Sequence, residues 1–286
     1  MKQTIRRMIL ILLAAVLLIA LLPRRTRPVP VLLYHHFAEE SVSDLVVTPE
    51  RFRRQMTAVK RAGFTAVTVQ QLLDYVQRGT PLPRKPVLIT FDDGYSSNLE
   101  LAAPILEELG LRATVFVIGI NEGQTAYAHT GEPLIPARFS YGEAAVWVEK
   151  GVLDVQCHSW DMHQLADYGI SGREGMLPLE KESGDDYLAA LEADLSRFRE
   201  GRDGRISTDL IALAYPFGYW TEETDALLRE LGIAITFTTE ETCPRLRAGD
   251  TDSLRMLGRF NVTEHWSGLR LAARLHLASI DIPRLF

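Results

Sequence analysis

Short apolar runs that end on polar clusters alternate along this chain with longer stretches whose apolar positions recur every three or four residues. The short runs are Pro30–Tyr34, Thr65–Val69, Val87–Ile89, Ala113–Ile118, Val152–Cys157, Ile211–Ala214 and Ile233–Thr238, with Arg255–Thr263 as a further one. Continuous apolar runs of this length predict strands covered on both faces. Between the first two, Phe52, Met56, Val59 and Ala62 keep helical spacing. Thr48 can cap that helix, Pro49 suits its first turn, and Gly63 ends it. The same reading predicts helices over Gln70–Gln77, Leu99–Leu109, Tyr141–Lys150, Asp186–Arg199, Thr221–Leu231 and Leu269–Leu277. Asn121–Arg138 has neither pattern and is long enough to suggest a functional loop. Alternation without a tandem repeat or an internal linker predicts an α/β fold with parallel strands, as a barrel or a doubly wound sheet.

Polar clusters fall in one kind of place. His35-His36, Asp92-Asp93, His158 and Tyr215–Gly218 each stand where a predicted strand runs out at its C-terminal end. In a β/α barrel that rim carries the chemistry. Adjacent strand residues point to opposite faces, so Asp92 and Asp93 are expected to do different work, one holding a cation and the other facing substrate or water. A cation nearby would also relieve the repulsion between the two carboxylates. Asp-Gly is equally a common turn pair. His158 and His163 are five apart, about 140° around a helix, and so share no helical face; leaving a strand through a turn, they can converge. Two imidazoles and a carboxylate suit zinc, and cobalt, nickel or manganese also fit. Asp161 between them is placed to orient one imidazole.

The ends and the charge narrow the picture. Met8–Leu22 is an unbroken apolar run with Lys2, Arg6 and Arg7 before it and Arg24, Arg25 and Arg27 after it. As a helix it would span roughly 22 Å, short of the ~30 Å hydrocarbon core, as in a signal h-region or a short anchor. Without a small-x-small site before Pro23 it is expected to stay as an anchor, so residues 1–28 are set apart from a single domain over 29–286. Six of the 31 basic residues and none of the 37 acidic ones lie in residues 1–28, which leaves 25 against 37 in the domain, a net charge of −12. That disfavours nucleic acid and other polyanions as partners. Cys157 and Cys243 are the only cysteines and form no disulfide framework.

Thr90-Phe-Asp-Asp-Gly-Tyr95 and His158-Ser-x-x-x-His163 together resemble the first two motifs of the polysaccharide deacetylases, carbohydrate esterase family 4. The five-residue histidine spacing is similar to the poly-β-1,6-N-acetylglucosamine deacetylase branch. The resemblance implies a distorted (β/α)7 barrel, with Asp93, His158 and His163 on a divalent metal, most simply Zn2+, and Asp92 as general base. The family's third motif begins with an arginine that orients the base. Here Ala214 stands before Tyr215-Pro216-Phe217-Gly218, so that arginine is missing from its place; by resemblance Tyr215 and Phe217 line the groove and the Phe217 N–H meets the oxyanion. Leu32-Leu33-Tyr34-His35 resembles the family's last motif in a circularly permuted position, which makes His35 the acid. His36 is expected to be structural, and His129, His265 and His276 are given no role. Trp160, Tyr219 and Trp220 are either sugar platforms or core. The implied activity is metal-dependent removal of N-acetyl groups from an N-acetylglucosamine polysaccharide outside the cytoplasm. The alternatives are a glycan-binding barrel without turnover, motivated by the missing arginine, and another metal-dependent amidase or O-acetyl esterase.

Overall fold

All eight predicted runs contribute a strand to one curved parallel sheet. The computed structural model describes residues 26–280 apart from residue 168. The strands of this sheet are β1 (Val31–Tyr34), β2 (Thr65–Ala66), β3 (Pro86–Phe91), β4 (Ala113–Val117), β5 (Leu153–Cys157), β6 (Ala212–Ala214), β7 (Ile235–Phe237) and β8 (Phe260–Asn261). They run in the order β7-β6-β5-β4-β3-β1-β8, with β2 paired to the start of β3, and every pairing is parallel. The helices are α1 (Pro49–Arg61), α2 (Val69–Arg78), α3 (Ala103–Leu109), α4 (Tyr141–Glu149), α5 (Gly184–Arg202), α6 (Glu222–Glu230) and α7 (Gly268–Ala278).

The segment before β8 brings the two edges of the sheet together. Leu257 bridges Phe237 of β7 in parallel, while Phe260 and Asn261 pair with Leu32 and Leu33 of β1. The result is the distorted (β/α) barrel that the motifs imply. Strand alternation splits the core in two. Val31, Leu88, Phe116, Ala212, Ala214, Ile235 and Phe237 fill the barrel interior. Leu32, Ile89, Val115, Val155 and Leu213 face the helices.

Helix starts follow their capping residues: the Thr48, Thr68, Ser140, Ser183 and Thr221 side chains each accept a backbone N–H of the first turn. The helix expected over Leu99–Leu109 opens instead with a wide π turn at Asn98–Ala102. Pro104 has no N–H to give, so regular i→i−4 bonding is interrupted just there. Met8–Leu22, the expected anchor, lies outside the described residues, and no described helix is long and apolar enough to cross a membrane.

Candidate active site

Asp92 continues the interior face of β3, as His158 does for β5, so both side chains enter the barrel mouth. The Asp92 carboxylate and the His158 imidazole are almost fully buried. Asp93 should point the other way by strand alternation, but β3 has already ended at Phe91. Asp93 stands in the left-handed region at φ 72° with Gly94 at φ 70° behind it, and that turn swings its carboxylate back to the rim. Ser159 (φ 67°) and Phe217 (φ 57°) adopt the same uncommon conformation directly after their strand ends. Non-glycine residues in this region are sparse, and they concentrate where a fold holds a site in shape.

Asp93, His158 and His163 converge. One ligand atom from each lies within 4.8 Å of the others, and Asp93 Oδ1 is 3.5 Å from both Nε2 atoms. Ligands bound about 2.0–2.2 Å from a tetrahedral ion stand roughly 3.3–3.6 Å apart, so this donor set fits a divalent metal. His158 Nδ1 donates to the Ala214 carbonyl at 2.8 Å, which leaves its Nε2 lone pair toward the site. Burial and the neighbouring His158 pull His163 down to about 4, so its imidazole is neutral near pH 7. Burial alone would raise Asp93, but the facing His163, His35 and His158 rings and Arg138 outweigh it and hold the carboxyl at about 2.

Asp92 is not left without an arginine. Arg259, fully buried, grips it with both ends of its fork: Nη1 to Oδ1 at 2.7 Å and Nη2 to Oδ2 at 2.8 Å. Its Nε donates to the Thr238 carbonyl at 2.9 Å and Nη1 also reaches Thr90 Oγ1 at 3.3 Å. Burial pushes Asp92 up, but the Arg259 charge and His158 more than cancel this and keep it below the usual carboxylate range. The orienting arginine therefore comes from the segment that closes the barrel, not from the strand before Tyr215. The sequence marks it only as a charge between Leu257 and Phe260, with nothing to name its partner. Gly258 lets the segment approach: a Cβ there would stand 2.0 Å from Thr242 Oγ1 and 2.5 Å from the Glu240 carbonyl.

His35 lies beside this pair. Burial lowers its pKa, while the charges of Asp92 and Asp93 raise it in opposition. Its Nδ1 is buried with no protein partner, and its carbonyl accepts from Asn98 Nδ2 at 2.8 Å. His36 bonds Ser97 Oγ at 2.9 Å and packs on Tyr95, a structural place as expected.

The third strand end differs from expectation. Of Tyr215, Pro216, Phe217 and Gly218, only Phe217 lines the cavity beside Asp93 and His163, with its ring centroid 4.3 Å from that of His163. Tyr215 does not line the groove: its side chain is fully buried and its hydroxyl donates to Asp225 at 2.7 Å. Residue 215 starts a tight turn and its side chain enters the layer under α6 rather than the rim. Gly218 (φ 79°) passes so close to Thr239 that a Cβ would meet Oγ1 at 2.1 Å. Trp160 packs over Gly119 and Gly201 as core, and Tyr219 is left 43% exposed near Phe217.

The irregular stretch after β4 forms the outer wall of a cavity of about 500 Å3 that opens from Asp93 and His163. It is tied at two points to the turns that carry Asp93 and His163. Arg138 bridges Tyr95 in antiparallel fashion and lays its guanidinium 3.6 Å over the Tyr95 ring. His129 Nε2 meets both carboxylate oxygens of Asp161, at 2.8 and 2.9 Å. Asp161 thus orients His129 and neither of the site imidazoles, and His129, which the sequence left without a role, holds the wall in place.

Residues 79–236, just over half of the chain, match the family model described as "Polysaccharide deacetylase"; His35 and Arg259 lie outside that stretch. The chain is 25% identical over 211 residues to a putative polysaccharide deacetylase, YxkH, of Bacillus subtilis, covering 74% of this chain and 64% of that protein. It is 21% identical over 257 residues to the poly-beta-1,6-N-acetyl-D-glucosamine N-deacetylase of Escherichia coli K12, covering 80% of this chain but only 38% of that protein. Among solved structures it superposes on IcaB from Ammonifex degensii with a TM-score of 0.69 at 26% identity, over 87% of this chain and 97% of that one.

Proposed function

The chain belongs to the polysaccharide deacetylase family, and from that premise we propose that it hydrolyses N-acetyl groups of an N-acetylglucosamine-containing polysaccharide and releases acetate. The observation that carries this reading is the meeting of Asp93, His158 and His163 around one point, beside a carboxylate held by an arginine fork. A divalent cation bound by those three residues would supply a Lewis acid for the acetyl carbonyl and acidify a water. Zinc suits the two imidazoles and one carboxylate best.

The chain's own groups divide the remaining work. Asp92, ionised and fixed by Arg259, takes a proton from the attacking water. The Phe217 N–H, presented by its left-handed turn, faces the oxygen on which negative charge develops. His35 gives a proton to the departing nitrogen as the C–N bond breaks, leaving acetate and a glucosamine unit. A neutral glycan matches a domain of net charge −12 better than a polyanion does. Kinship with poly-N-acetylglucosamine deacetylases supports that polymer as substrate ahead of chitin oligomers and peptidoglycan. We also place the domain outside the cytoplasm, held by Met8–Leu22, a reading supported by that run's length and basic flanks. Protease treatment of intact cells should then remove the domain, and full protection would overturn the placement.

The glycan-binding alternative drew its motive from a missing arginine, and Arg259 removes that motive. Acetate release by the purified protein from each of the three polymers tests the main reading. Asp92→Asn should lower turnover by about 10²–10⁴-fold while metal stays bound. Chelation should abolish activity and zinc add-back restore it. Release from O-acetylated but no N-acetylated polymer would instead make the protein an esterase.

A further inference from the structure

His158 and His163 are joined by a loop that belongs to no helix or strand, yet both imidazoles must hold one geometry. Part of the loop is fastened to the neighbouring strand end. The Ser159 carbonyl accepts from the Gly119 N–H at 3.0 Å and the Trp160 carbonyl from the Ile120 N–H at 2.9 Å. The Ser159 hydroxyl accepts from the Met162 N–H at 3.1 Å. The N–H groups of Trp160 and Asp161 are turned away from that strand, toward α5. There a single side chain takes both: Trp160 donates to Asp194 Oδ2 at 2.7 Å and Asp161 to Asp194 Oδ1 at 2.9 Å. Asp194 is only 6% exposed in the middle of α5, a costly place for a carboxylate that serves nothing. The surroundings are shaped for the same contact. A Cβ at Gly119 would stand 2.4 Å from the Trp160 ring and one at Gly201 3.1 Å, so two glycines make room for the residue whose N–H Asp194 holds.

We propose that Asp194 is a positioning residue for the metal site. By accepting two consecutive N–H groups it sets the turn that carries His158 and His163 onto the same ion as Asp93. The inference rests on the metal reading above. A carboxylate is the side chain that offers parallel acceptors to two neighbouring N–H groups; an amide offers one acceptor and presses an NH2 against the second donor. Asparagine is therefore a poor replacement despite its shape.

The test uses the full chain with zinc and with cobalt(II) as probes. Asp194→Asn and Asp194→Ala should each weaken zinc binding by about 10–100-fold, the usual consequence of losing a group that orients metal ligands. The visible cobalt spectrum should change in both. Asp154→Asn removes a different buried carboxylate, at the other end of β5, and should lower Tm while leaving zinc affinity within about twofold. Zinc affinity within twofold of wild type in both Asp194 variants, with an unchanged cobalt spectrum, overturns the proposal and leaves the metal reading intact. A wild-type protein that binds neither metal sinks the metal reading and the proposal together. Should the variants not fold, amide exchange in the wild type decides. Trp160 and Asp161 N–H groups should exchange at least about 100-fold more slowly than those of the exposed Gly172 loop, and equal rates refute the clamp.

Discussion

Two buried arginine–aspartate pairs branch from one short segment of this protein, four residues apart, and they do different things. Arg255 donates through Nε to Asp225 Oδ2 at 2.7 Å and through Nη2 to the Asp225 carbonyl at 2.7 Å. The other Asp225 oxygen accepts from both Tyr215 and Thr236 at 2.7 Å. Enclosed on every side, that carboxylate has no direction left in which to act. Arg259 holds both oxygens of Asp92, but beyond them lie the His158 Nε2 at 3.9 Å, His35 and the barrel mouth. The chemistry of the pairs is alike. What separates a brace from a candidate base is whether the carboxylate keeps lone pairs facing a place where water and substrate can come.

That contrast can be broken by experiment, and the largest effect belongs to Arg259. Arg259→Met removes the fork but keeps the bulk, so kcat should fall by about 10²–10⁴-fold as the base loses its position. With the arginine charge and its hydrogen bonds gone, burial is opposed only by the neighbouring imidazoles, and the Asp92 pKa rises. The acid limb of kcat/KM should therefore move to higher pH, and a limb that stays put would show that Asp92 is not the group it reports. Arg255→Met leaves Asp225 buried and short of its partner, at a cost of about 3–5 kcal/mol. Tm should drop by several degrees, yet at a temperature where the variant is folded the acid limb should match wild type. If that limb moves as well, the two pairs are not separable.

Tyr215→Phe is a finer probe. It deletes one of the donors to Asp225, a loss of about 1–3 kcal/mol in stability. KM for glycan should not change, because the side chain touches no part of the cavity; a KM raised many-fold would put Tyr215 back in the groove. The smallest effect is expected for His129→Ala. The pair with Asp161 is partly exposed and is worth about 0.5–1 kcal/mol, so a looser cavity wall should raise KM about two- to fivefold and leave kcat alone. A drop in kcat instead would give the wall a part in the chemistry.

Much of the site was legible in the chain itself. Strand-like runs ending in Asp92-Asp93 and His158 put those groups at one rim, and the left-handed turn at Asp93 is what the Asp-Gly pair foreshadows. His35 was readable from its place at the end of the first strand. The groups that support them were not. Arg259 and Asp92 are 167 residues apart, and Asp194 lies 33 residues from Asp161. No local period connects such partners, and each looks like an ordinary charged residue in a strand or a helix.

Patterns with a period of two or of about four decide where elements form and which residues end them, because steric and capping forces act over a few neighbours. The amino-acid order was thus sufficient for the alternating elements and for setting Asp93, His158 and His163 close to strand ends, where they meet. Folding alone could settle which arginine meets Asp92, which way Tyr215 turns, and what steadies the loop between the histidines. Those choices depend on the last segment crossing from β7 to β1 and on α5 lying under the rim, and contacts made through space leave no repeat in the chain.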